Sequence, residues 1–516
     1  MGGDSRPGRR GSVVAGDCGK WNTRGFFEQA TAGDVMRCLE TGATVTARGE
    51  DGVTPLHCAA EWSEDVTVLE VLLDAGAAVD TRTAAGATPL HHAARRSADH
   101  HAILQALLDA GATAGVRDEH GFSPLHWMAR TTESPDTLEF LLDAGAAVDA
   151  RSGYGYTPLH SAARNNGTPA ISEFLLSAGA AVGPRSLAGV TPLHLAAGHN
   201  ENPAVSEALL DAGAATDVRT DTGVTPLHFA AGFNENPAVS RLLLDAGAAV
   251  DARIERFHAG YTPLHNAAAS NRNPAVTALL LNAGADVHSW TRHGDTPLHL
   301  AAGSRDARPA VIRILLDAGA ELDARSRYGR NNWIPYGTPL HLAARFAEDP
   351  AAVEVLLDAG ADVDARDRDG ASALHIAAKE NDNARLITLL LDAGTGINTR
   401  DRNGATALHL AAGKPAARLE IVSMLLDAGA DLHARTRFGK SALHDAVWGA
   451  EDPEVIAALL DAGAPAGAKD DRGKMPWQYA EYLRKFRGHD VLRRLNVGRS
   501  DRSPSSRRNR GTEARQ

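Results

Sequence analysis

Apolar and polar positions along the chain follow one pattern that returns every 34 or 35 residues, apart from one interval of 37 and one of 42, and residues 187–220 show it in full. Thr191 is a good N-cap, and Pro192 falls at the first helical position, where its missing N–H costs nothing. Leu193, Ala196 and Ala197 then lie at i, i+3 and i+4, the narrow apolar face of a short helix. Alanines on that face let neighbouring helices approach closely. A short loop, His199-Asn200-Glu201, leads to a second cap and proline, Asn202-Pro203, opening a helix with Val205, Leu209 and Leu210 as its buried stripe. Gly213 is placed to take the left-handed conformation that ends it. The remaining residues, with a turn at Gly189, form a finger that connects to the next unit. Each period therefore predicts helix, turn, helix, finger.

Two phrases lock the period. [TS]-[PA]-L-H recurs twelve times, with its histidine at His57, His91, His126, His160, His194, His228, His265, His299, His341, His375, His409 and His444. L-L-D-A-G-A, or a near variant, places its glycine 19 or 20 residues after each histidine. The second cap also recurs, as Ser134-Pro135, Thr168-Pro169, Asn236-Pro237, Asn273-Pro274, Asp349-Pro350 and Asp452-Pro453. One unit alone cannot bury its apolar stripe, so consecutive units must stack into a continuous core.

T-P-L-H-x-A-A followed by L-L-x-x-G-A and a glycine-bearing finger resembles the ankyrin repeat family, over roughly residues 26–482. The resemblance implies a mainly α fold: an ankyrin-repeat solenoid of stacked helix-turn-helix units with β-hairpin-like fingers, which acts by binding other proteins. The family's usual period is 33, one shorter than here, and the extra residue lies in the loop between the helices. Tetratricopeptide repeats share the 34-residue period, but their tryptophan, tyrosine and phenylalanine signature is missing. The ends read as caps, with a worn Cys38-Leu39-Glu40-Thr41-Gly42-Ala43 at one and Met475-Pro476-Trp477-Gln478-Tyr479-Ala480 at the other. The expected organisation is a flexible segment over 1–24, a solenoid of about twelve repeats with two caps over 25–483, and a basic helix end with a disordered tail over 484–516.

Charge and composition narrow the chemistry. The net charge of -11 conceals 11 Lys/Arg against 3 Asp/Glu after residue 483, so the repeats are acidic and the tail basic. Cys18, Cys38 and Cys58 stand at no metal-ligand spacing and support neither a disulfide framework nor zinc, which fits a reducing, cytoplasmic setting. No stretch approaches the ~20 apolar residues of a membrane span, and the N-terminus carries no secretory apolar core. The motif histidines are expected to form a hydrogen-bond ladder between fingers rather than metal sites, since ligands must converge locally. The adjacent pairs His91-His92 and His100-His101 lack i, i+4 spacing. P-loop, G-x-S-x-G and H-E-x-x-H motifs are absent, so the chain reads as non-catalytic, without cofactor, metal or small-molecule substrate.

Function is sought where repeats differ. A basic residue recurs in the fingers at Arg48, Arg82, Arg117, Arg151, Arg185, Arg219, Arg253, Arg325, Arg366, Arg400, Arg435 and Lys469, interrupted by Trp290. It reads either as an edge ladder pairing with Asp80, Asp149, Asp251 and Asp364, or as a positive stripe for an acidic partner. Of 25 aromatic residues, ten lie in fingers: Phe122, Tyr154, Tyr156, Phe257, Tyr261, Trp290, Tyr328, Trp333, Tyr336 and Phe438. Trp62, Phe233, Phe346 and Trp448 end the first helix of their repeats, which in ankyrin-like folds looks into the concave groove. Aromatic anchors are favoured binding hot spots, while Tyr156 and Tyr261 also fit packing on a neighbouring finger. Seven extra residues after Gly329 add a loop with Trp333, Ile334 and Tyr336, read as a binding element or a fold-back. The candidate site is thus Trp62, Tyr154, Phe233, Phe257, Trp290, Tyr328, Trp333, Ile334, Tyr336, Phe346, Phe438 and Trp448, holding a protein or peptide. The alternative is a nucleic-acid-associated protein using the finger arginines and basic tail, disfavoured by the acidic solenoid.

Overall fold

The computed structural model describes residues 17–96, 101–256, 258–306, 308–326, 337–415, 419–483, 486 and 488–496. It divides into two compact units, one of residues 1–267 with 271–285 and the other of residues 268–270 with 286–516. In each unit short helices pair within a repeat, first helices pack on first helices of the next repeat, and second helices on second helices. The described residues contain no strand.

The repeat of His194 illustrates the local physics. Thr191 caps Pro192–His199, and the His194 side chain returns a bond to the cap's own N–H, closing a capping box. Asn202 accepts from the Ala204 N–H to start Pro203–Asp211. That helix ends in a Schellman motif: Gly213 stands at φ 89, its N–H donates to Leu210 O, and the Ala214 N–H donates to Leu209 O. Leu193, Ala196, Ala197, Val205 and Leu209 are fully or almost fully buried. The predicted stripe is corrected at one position, since Leu210 is only half-buried and Ser206 takes the interior place. From Leu209, Ser206 lies one turn back on the same side of the helix, whereas Leu210 is turned away.

Small side chains on the first helix set how closely repeats stack. Ala196→Leu is expected to cost about 1 to 3 kcal/mol by overpacking, read as a lower urea midpoint; an unchanged midpoint would mean that the face has room.

The fingers are hairpin-like turns without a strand ladder. Ser152 N–H donates to Tyr156 O at 2.8 Å, and Gly153 N–H reaches back to His120 O of the preceding finger at 2.7 Å. At Gly121, φ is 76 and a Cβ would stand 2.5 Å from Gly153 N, so both the conformation and the close approach require glycine there.

Eleven motif histidines form the expected ladder. Each accepts the N–H of its capping Thr or Ser at Nδ1, and its Nε2 donates to a carbonyl of the next repeat at 3.0 to 3.3 Å. Accepting at Nδ1 fixes the neutral ring with its proton on Nε2.

The arginine ladder differs from its predicted form. Arg48, Arg82, Arg117, Arg151, Arg185 and Arg219 donate to the backbone carbonyl of the basic residue one repeat on, as do Arg325, Arg366, Arg400 and Arg435. Asp80, Asp149 and Asp364 accept backbone N–H groups of the following repeat, from Thr113, Ala181 and Gly396. These arginines and Asp80, Asp149 and Asp364 are thus employed as staples to backbone, and Arg185 in addition pairs with Asp221 at 3.0 Å.

A second correction concerns the cysteines. Cys18 and Cys38 form a disulfide that ties the turn at Asp17–Lys20 to the helix Ala32–Glu40, while Cys58 is a buried free thiol. The pairing depends on the turn before Trp21 folding back onto the cap helix, which sequence spacing alone does not reveal. Past the other cap, Val491–Leu495 packs on Pro453–Asp461 and Pro476–Leu483.

Candidate protein-binding surface

The variable positions of the first helix follow directly from its caps. Because Thr and Pro fix where the helix starts, in the repeats of His126 and His160 the residue after the motif histidine and those four and five positions past the histidine fall next to the fingers rather than in the core.

In the first unit these positions line a cleft of about 310 Å³ formed by Phe122, Tyr156, Trp127, Arg130, Ser161, Arg164, Asn165 and Leu195 over His126 and His160. The Arg95 and Arg130 guanidinium groups lie 5.4 and 5.8 Å from the Trp127 ring, within cation–π range. Arg24 similarly covers Trp62, 4.2 Å from its ring. Further along, Phe233 is 62% exposed, stacked on His199 at 6.0 Å and edge-on to Phe229 at 5.9 Å. Tyr154 is exposed at a finger tip, stacked on His120.

The second unit holds a cleft of about 520 Å³ that brings together Phe438 and Trp448 with Lys379, Lys414 and Lys440. Three of the seven lysines in the chain thus stand around one opening. Their charge is locally balanced: Lys414 pairs with Asp382 at 2.5 Å, Lys379 with Glu380 at 3.5 Å, and Lys440 stands 3.9 Å from Asp445. Burial pushes the Asp445 carboxyl up to about 6 against the pull of Lys440. Lys440 also lies 5.4 Å from the Trp448 ring. Trp290 and Phe346 are half-buried, Phe346 beside Arg345 at 5.7 Å.

The structure therefore gathers Phe438 with Trp448, and leaves Trp62, Tyr154, Phe233, Trp290 and Phe346 at separate places. Phe257, Tyr328, Trp333, Ile334 and Tyr336 lie outside the described residues, as do His100 and most of the tail. Tyr261 is buried against His265, a packing role, whereas Tyr156 both packs on His160 and lines the cleft. Trp127, Arg130 and Arg164 line the first cleft but are neither finger nor helix-end aromatics. Their signal was present, since the position after the motif histidine changes in nearly every repeat.

Among the described residues no group of three or more His, Cys, Asp or Glu side chains is placed to hold a metal, and no helix is long and apolar enough to cross a membrane. Burial holds the motif histidines mostly neutral: His57, His126, His160, His194, His228, His299, His341 and His409 are lowered to about 4.

Stacked helix pairs, capped by T-P-L-H and stapled through fingers, define a solenoid of the protein-interaction class. The sequence pattern described as ankyrin repeats (3 copies) matches residues 30–118, 97–186, 167–254, 250–326, 340–436 and 374–470, and the chain belongs to the ankyrin repeat family. Ankyrin repeats are commonly protein-interaction modules. No curated protein matches the chain in sequence. Among solved structures, the human ASB11 ankyrin repeat domain is 28% identical, covering 47% of this chain and 99% of its own length, with a TM-score of 0.40. The ankyrin repeat domain of Bcl-3, a unique member of the IkappaB protein family, is 34% identical over 46% of this chain and 100% of its own, with a TM-score of 0.37.

Proposed function

We propose that the chain is a non-catalytic scaffold or adaptor that holds a partner protein or peptide against its fingers and first helices. The cleft around Trp127 carries this reading. It joins three aromatic side chains to Arg130 and Arg164, neither of which has an ion-pair partner among the described residues. Aromatic and arginine side chains concentrate binding energy at interfaces, and uncompensated arginines favour an acidic partner. The finger arginines contribute less to such recognition, because their N–H groups already hold the next finger's backbone.

The test is cross-linking of the full chain in its native host, followed by affinity measurement with the partner found. Cross-links should map to fingers and first helices, and Trp127→Ala with Arg130→Glu should weaken binding at least tenfold at an unchanged melting temperature. Cross-links confined to second helices, with full affinity in the double variant, would overturn the proposal. Trp333→Ala with Tyr336→Ala tests the loop after Gly329 in the same assay.

A further inference from the structure

Four residues past the motif histidine, three consecutive repeats of the first unit carry Arg95, Arg130 and Arg164, and the next two carry Gly198 and Gly232. The change from arginine to glycine is a change of chemistry along one row. The arginines are exposed, and two of them lie beside the Trp127 ring, which orients the guanidinium groups while leaving N–H edges for carboxylates. Gly198 does something different: a Cβ there would come within 2.9 Å of the Phe229 ring. Its absence lets Phe229 settle over the helix and support the exposed ring of Phe233 from the side.

We propose that this surface reads two features of a partner in a fixed order: an acidic cluster over the arginine row, then an apolar side chain against Phe233. The inference rests on the protein-binding reading above and adds the order and spacing. Arg164 and Phe233 belong to repeats two steps apart. Packed helices stand roughly 8 to 10 Å from one another, so the two zones are separated by roughly 16 to 20 Å. An extended peptide, rising about 3.3 Å per residue, spans that in about five or six residues. A helical one, rising about 1.5 Å, needs about eleven to thirteen. The partner segment is therefore an acidic patch and an apolar anchor with one of these two spacers.

A random peptide display library selected on the full chain tests this. Enriched peptides should carry at least two Asp or Glu and one aromatic or leucine residue at one of those spacings. Synthetic copies, measured by fluorescence anisotropy, should lose at least tenfold affinity to Arg130→Glu with Arg164→Glu, and at least tenfold to Phe233→Ser. Deleting three spacer residues should weaken them as much, and Glu201→Ala, at an exposed loop between helices, should leave them unchanged. Circular dichroism melts establish that each variant is folded. Peptides that bind both variants at full strength, or whose spacer shortens without loss, would overturn the order and spacing while leaving the scaffold reading intact. Failure to enrich any peptide would count against both.

Discussion

Acidifying the protein from pH 7 to about pH 4.5 is expected to unfold it cooperatively. The motif histidines are the cause. Each is buried, accepts its cap's N–H at Nδ1 and donates from Nε2, so a second proton would break the cap bond and bury a charge. Eight of them are lowered to about 4 in the fold, and His91, His375 and His444 shift in the same direction. In the unfolded chain they titrate near ~6.5. Between those values the unfolded state binds more protons, so stability is fully present above the unfolded value and falls as pH drops toward the folded one. At pH 5 each of the eight lowered to about 4 removes about 2 kcal/mol. Several together exceed the roughly 5 to 15 kcal/mol that holds a typical domain folded. Asp445, raised to about 6, works in the opposite sense but is one group against many. Circular dichroism melts from pH 8 to pH 4 check this; a melting temperature unchanged down to pH 4.5 would show that the ladder tolerates protonation.

Asn200→Ala is expected to cost about 2 to 4 kcal/mol, from the two acceptors and one donor it leaves unmet in the interior. The Asn200 amide donates to Ala163 O at 3.1 Å and Asn166 O at 2.7 Å, and its Oδ1 accepts the Asn202 N–H at 3.1 Å. The same arrangement recurs at Asn166 and Asn234, so each repeat holds the loop of the one before it. Asn200→Asp should be worse, because it replaces a buried donor with a buried charge. Urea denaturation, with the exposed neighbour Glu201→Ala as control, measures the difference. Equal midpoints for Asn200→Ala and Glu201→Ala would mean that water replaces the lost amide.

Asn200 also shows where sequence reasoning stopped. In the sequence it reads as a polar loop residue, although it is buried and fully bonded in the fold. The caps, the two helices, the terminal glycine and the histidine ladder were legible because each is a local signal repeated in register. The partners of Arg82 and Asp80 were not, because charges invite pairing with charges while backbone carbonyls and amides are invisible in a string of side chains. The disulfide escaped for a related reason: only the fold brings Cys18 to Cys38. Of the candidate residues, Phe438 and Trp448 line one cleft. Trp127, Arg130 and Arg164 became visible only when the fingers and helices of adjacent repeats were set side by side.

The histidine bonds all point the same way, from each repeat to a carbonyl in the one that follows. A ribosome makes the donor about thirty residues before the acceptor, as with His160 and Val190, which are 30 apart. During synthesis, the newest repeat of a growing unit therefore waits on residues not yet translated. Among the described residues the last such bond is His444 to Lys474 O, in a segment braced by the Tyr479 hydroxyl on Asp470. A nascent chain halted short of residue 474 would leave the His444 Nε2–H facing water instead of Lys474 O, an open end of the ladder.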